Sequence, residues 1–66
     1  MKRLNLKVFR IKNNLSQEDM AKKLGISKVY YCRIETGVND PSFGLLEKFG
    51  EIFNYDDVWF LFKKSE

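Results

Sequence analysis

The sequence predicts an all-helical domain. Three observations carry that prediction: no alternating Val-, Ile- or Thr-rich run of strand type occurs, Ser16, Ser27 and Ser42 each stand just ahead of a run with helical period, and Gly25, Gly37 and Asn54 stand where those runs stop. Sixty-six residues suffice for one domain, residues 1–66, close to the lower limit for a self-sufficient core. At 44% apolar and 15% aromatic the chain carries enough burial to fold.

Leu6, Phe9 and Ile11 on a basic background predict a first helix from about Leu4 to Asn13, ended by the Asn13-Asn14 pair. Lys7, Arg10 and Lys12 fall on its charged side. Ser16 with Asp19 three residues later forms a variant of the capping box, and the acidic first turn of Gln17, Glu18 and Asp19 suits the helix dipole. Met20, Ala21 and Leu24 then recur at helical spacing, and Gly25 stops the helix after about two turns. Ser27 caps a third helix from Lys28 to Thr36, closed by Gly37. Ser42 caps a fourth, whose apolar stripe is Phe43, Leu46, Phe49, Gly50 and Phe53. Asp56 is the expected cap of a short last helix holding Val58 to Phe62.

Charge divides the chain in two. Residues 1–33 hold nine Lys or Arg against Glu18 and Asp19, a local +7, while residues 34–66 hold three Lys against seven carboxylates, a local −4; the sum is the formal +3. A basic half of this kind suits phosphate or another acidic surface. The single cysteine, Cys32, makes no internal disulfide, and the absence of histidine excludes a Cys/His zinc site. No continuous apolar core of signal-peptide type opens the chain, and the longest apolar run, Val58 to Phe62, is far shorter than a membrane span. These features place the expected protein in the cytoplasm.

On the third helix, Tyr31 and Ile34 point one way and Val29, Cys32, Arg33 and Thr36 the other. The second face is too weakly polar for a plain solvated surface. Small side chains allow close approach, a branched aliphatic such as Val29 can touch a thymine methyl, and Arg33 can fork onto guanine O6 and N7. The alternative is a helix–helix contact that buries Val29 and Cys32. The lopsided charge favours DNA.

The stretches Leu15-Ser16-Gln17-Glu18-Asp19-Met20-Ala21, Leu24-Gly25-Ile26-Ser27, Ile34-Glu35-Thr36-Gly37 and Pro41-Ser42 resemble the phage repressor/Cro-type (XRE-type) helix-turn-helix family, over about Leu6 to Leu61. The resemblance implies a compact five-helix bundle of the lambda-repressor-like DNA-binding type, with the helix-turn-helix at about 16–36 and helix 28–36 in the major groove. It implies that Gln17 binds phosphate, which a helix N-terminus also favours physically, and that Ser27 is a second backbone contact. It places Lys28, Val29 and Arg33 at base edges with Cys32 beside them, and pairs Arg10 with Glu35. Two departures stand out. The loop Val38-Asn39-Asp40 lacks the usual basic side chain, so only the backbone N–H groups of Val38 and Asn39 are expected to meet phosphate, and Asp40 is expected to repel it. Tyr30 and Tyr31 are bulkier than the family pattern; Tyr31 is assigned to the core, and Tyr30 either lies against a sugar or is merely exposed.

Val58 to Phe62 is apolar all round, so part of it must face outward. Family members associate through this end, which implies a homodimer contacting through Trp59, Phe60 and Phe62 with Leu45 and Ile52, on a DNA site that is an approximate inverted repeat. The alternative folds all the aromatics back onto a marginal core. Catalysis is not expected: the chain has no histidine, no base beside Cys32 and no glycine-rich phosphate loop. No cofactor, metal or small-molecule ligand is expected, and no amphipathic stripe is clean enough for a membrane surface. The function expected is a sequence-specific transcriptional regulator, in family terms a repressor. The rival is a protein-interaction module of the same fold, such as an antitoxin.

Overall fold

Ser16, Ser27 and Ser42 act as local switches from extended to helical backbone. Each hydroxyl accepts from the N–H three residues on, those of Asp19, Tyr30 and Leu45, at 3.0, 3.1 and 3.1 Å. At Ser16 the box is complete, because the Asp19 carboxylate accepts from the Ser16 N–H at 3.0 Å. The computed structural model describes residues 2–64 and contains five helices among them: α1 (Leu4–Lys12), α2 (Gln17–Leu24), α3 (Lys28–Glu35), α4 (Phe43–Phe53) and α5 (Val58–Phe62). No strand occurs among the described residues.

The first four helices stop in the same way. Asn14, Gly25, Gly37 and Asn54 adopt left-handed backbone with φ of 57°, 71°, 85° and 51°. The next N–H then reaches back to a carbonyl of the last turn: Leu15 to Arg10, Ile26 to Ala21, Val38 to Arg33 and Tyr55 to Gly50, at 2.8–3.1 Å. Leu15, Ile26 and Tyr55 turn inward and pack on the core. Val38 does not, and is 72% exposed.

Leu6, Met20, Leu24, Tyr31, Ile34 and Phe49 are fully enclosed, so every one of the first four helices contributes to one core. Phe49 is its aromatic centre, with ring centroids 5.3 Å from Phe9, 4.7 Å from Phe53 and 5.1 Å, edge-on, from Phe62. Gly50 lets α5 approach α4, since a Cβ there would lie 3.2 Å from the Tyr55 carbonyl oxygen and the Val58 side chain.

Arg3 closes the fold from the other end of the sequence. Its guanidinium is 3% exposed, yet Nε donates to the Phe62 carbonyl at 2.8 Å, Nη1 to the Ile34 and Asn39 carbonyls, and Nη2 to Asp40 at 2.8 Å. Its backbone N–H adds a bond to the Glu35 carbonyl at 2.8 Å. The ends of α3 and α5 and the α3–α4 loop are thereby held on one planar group.

Several expectations need correction. The N-cap of α5 is Asp57, not Asp56, and its side chain makes no capping bond. Thr36 is the C-cap of α3 rather than its last residue. Phe43, read as part of the buried stripe of α4, stands at the first helical position and is 62% exposed, and Ile11 is 54% exposed because α1 buries Leu6 and Phe9 instead. Phe62 and Leu45, expected at an association surface, are 5% and 7% exposed and belong to the monomer's own core.

Candidate nucleic-acid interface

The two-helix unit α2–α3 is built by one tight turn. Left-handed Gly25 lets the chain reverse, Ile26 anchors the turn in the core, and Ser27 starts α3. The inner face of α3 is then fixed by Tyr31, Ile34 and Glu35, all buried. The outer face carries Lys28, Val29, Arg33 and Thr36, all exposed, with Val29 at 62%. Val29 and Arg33 are one helical turn apart, so they form a row. Neither Lys28 nor Arg33 has a side-chain hydrogen bond or ion pair among the described residues.

Glu35 is the acid that this face does not show. Arg10 grips it with two parallel bonds, Nε to Oε2 at 2.9 Å and Nη2 to Oε1 at 3.2 Å, while the Tyr31 hydroxyl donates to Oε2 at 2.7 Å and Gln17 Nε2 to Oε1 at 3.3 Å. Both oxygens thus have two donors. Burial pushes the Glu35 carboxyl up, but the guanidinium, hydroxyl and amide together outweigh it and hold it below the ordinary range. Burial and the bond to this carboxylate push the Tyr31 hydroxyl up, so it stays a donor. Arg10 also donates from Nη1 to the Leu15 carbonyl at 2.9 Å, which ties the α1–α2 turn to the same network.

Other expected contacts fall differently. The N–H groups of Val38 and Asn39, expected to meet phosphate, both donate to the Arg33 carbonyl, at 2.8 and 3.1 Å, because they close the C-terminal end of α3. Cys32, expected at the bases, is half-buried against α2, and its thiol donates to Gln17 Oε1 at 3.1 Å. Asp40 does not stand as a bare negative charge: Arg3 at 2.8 Å and Lys64 at 3.2 Å pair with it, and the Lys64 contact followed by that of Arg3 holds its carboxyl low. Tyr30 is half-buried on the core. The Gln17 amide is engaged with Glu35 and Cys32, which leaves one N–H of Nε2 uncommitted. Ser27 is exposed beside the α2–α3 turn, with its hydroxyl accepting the α3 cap bond.

Arg3 and Phe43 are residues whose importance the sequence pattern does not reveal. Arg3 precedes the first helix with no local motif around it, and its partners lie 31 to 59 positions away. Phe43 and Trp59, 62% and 71% exposed, flank a groove of about 150 Å³ between α4 and α5. The residue type of Phe43 signals burial, and only the helix phase after Ser42 could have shown otherwise.

The chain matches the helix-turn-helix family over residues 6–60. Among curated proteins it is 41% identical to a helix-turn-helix-type transcriptional regulator of Methanocaldococcus jannaschii, covering 92% of this chain and 94% of the relative. It is 35% identical to one from Archaeoglobus fulgidus, covering 97% and 92%, and 37% identical to one from Bacillus subtilis, covering 94% and 79%. No solved structure matches the chain.

Proposed function

Because the chain belongs to the helix-turn-helix family and is a DNA-binding transcriptional regulator, we propose that it is a sequence-specific repressor that reads the major groove with α3. In this reading Lys28, Val29 and Arg33 meet base edges, Arg33 forking onto a guanine. Gln17 and Ser27, at the heads of α2 and α3, meet the backbone through the N–H groups and dipoles of those helix ends. The observation that carries the reading is the row Val29–Arg33: an exposed aliphatic and a guanidinium without a partner among the described residues, on a helix whose opposite face is locked into the core.

The protein acts as a homodimer through Ile52, Trp59 and Phe60, to which exposed Phe43 is added. Two copies then present α3 to successive major grooves about 34–36 Å apart, on an approximate inverted repeat. It works in the cytoplasm without a cofactor; no helix among the described residues is long and apolar enough to cross a membrane.

Selection of bound duplexes from a random pool, at several salt concentrations, tests the reading. The expected result is an inverted-repeat motif with a guanine in each half whose preference falls by about 1–3 kcal/mol in Arg33→Ala. Recovery of no motif, or a motif unchanged in that variant, contradicts it.

A further inference from the structure

We propose that the cleft between α1 and the end of α3 is a second DNA-backbone site, where Lys2 and Lys7 hold a phosphate neighbouring the one at the head of α2. It rests on the DNA-binding reading above and adds contacts from a helix that reading leaves idle. The cleft encloses about 270 Å³, and Lys2, Lys7, Arg10, Gln17, Glu35 and Thr36 line it together with Arg3.

The charges in the cleft do not cancel. Its single acid, Glu35, is matched by Arg10 and receives four donors. Arg3 is paired with Asp40 and three carbonyls. The ammonium groups of Lys2 and Lys7 have no hydrogen-bond or ion-pair partner among the described residues, and both side chains are exposed. Two unpaired cations beside two guanidiniums repel one another, and an external anion relieves that repulsion. Gln17, the first residue of α2, lines the same cleft, so the cleft runs from the head of α2 onto α1. A polyanion that touches one end therefore meets the other. A DNA strand offers such a row of phosphates.

The test compares the full chain with Lys2→Gln/Lys7→Gln and with a control, Lys12→Gln/Lys48→Gln, which removes the same charge from exposed positions outside the cleft. Binding to a random-sequence duplex is followed by fluorescence anisotropy from about 50 to 200 mM salt, where each phosphate contact contributes a slope of about −0.9 in log K against log salt. Loss of that one phosphate makes the slope shallower by about 0.9, so the fall in affinity across that range becomes about three- to fourfold smaller than for the parent chain. The control is expected to keep the parent slope. Equal slopes for the cleft variant and the parent overturn the proposal, and so does an equal loss of slope in the control, which reports diffuse charge alone. A parent chain that binds no duplex at these salts overturns the DNA-binding reading itself.

Discussion

Arg3 donates from Nε to the backbone carbonyl of Phe62, 2.8 Å away and 59 positions on in sequence. The same buried group serves the carbonyls of Ile34 and Asn39 and the carboxylate of Asp40; its removal leaves the Phe62 and Asn39 carbonyls without a donor among the described residues, while the Ile34 carbonyl keeps the Gly37 N–H and Asp40 keeps Lys64. Arg3→Ala should lower stability by about 3 kcal/mol or more, read as the thermal midpoint by circular dichroism. Arg3→Lys should recover little, because one ammonium cannot reach all the acceptors that the planar guanidinium meets on its different sides. A parent-like midpoint in either variant contradicts this role.

Glu35 holds α1, α2 and α3 to one point. Glu35→Ala strands the Arg10 guanidinium and should cost about 3–5 kcal/mol, enough to unfold much of so small a domain. Tyr31→Phe keeps the enclosed ring and loses only the donor at 2.7 Å, so it should cost about 1.5–3 kcal/mol. The cost of Glu35→Gln/Tyr31→Phe should be less than the sum of the costs of Glu35→Gln and Tyr31→Phe alone, since both act on one network. Chemical denaturation of the four proteins measures the coupling, and strict additivity speaks against a shared network.

Acid should unfold the domain. The Glu35 carboxyl lies below its ordinary value of 4.5, with burial opposing and Arg10 and Tyr31 prevailing. That of Asp19 lies below 3.8 through the Ser16 backbone N–H and hydroxyl, and that of Asp40 below 3.8 through Lys64 and Arg3. A group whose pKa is lower in the folded than the unfolded chain contributes stability above its unfolded value, and the contribution is lost as pH falls through the folded one. The thermal midpoint should therefore be level near neutrality and drop once the pH passes below the ordinary carboxylate range. Glu35→Gln should show a shallower drop, from a lower start; an identical pH profile contradicts the assignment.

Trp59→Ala separates association from folding. The indole is 71% exposed, so its loss should leave the unfolding free energy of dilute protein within about 0.5 kcal/mol of the parent. Sedimentation at high micromolar concentration should show the parent as a dimer and the variant shifted towards monomer. A parent that sediments only as monomer removes the dimer from the proposed function.

The helix plan was legible because its signals are local. Ser16, Ser27 and Ser42 bond three residues ahead, and Gly25, Gly37 and Asn54 reverse the chain where they stand. The α5 cap was misplaced by one residue because Asp56 and Asp57 are adjacent and neither carboxylate bonds to mark the choice. What escaped the sequence is tertiary. Nothing near Arg3 tells that its partners are carbonyls of Ile34, Asn39 and Phe62. At the candidate interface, the outward row of Val29 and Arg33 followed from helical period, whereas the inward turn of Cys32 towards Gln17 depends on how α2 and α3 meet.

Val38 differs from its three counterparts at the other helix ends in having no side-chain anchorage, because backbone bonds and Arg3 hold its loop without it. Exchange of that valine for lysine, threonine or arginine therefore carries almost no folding penalty. If the proposed reading of α3 holds, exposed Lys28, Val29 and Arg33 offer the same freedom, so target preference could be redesigned while the scaffold beneath stays as it is.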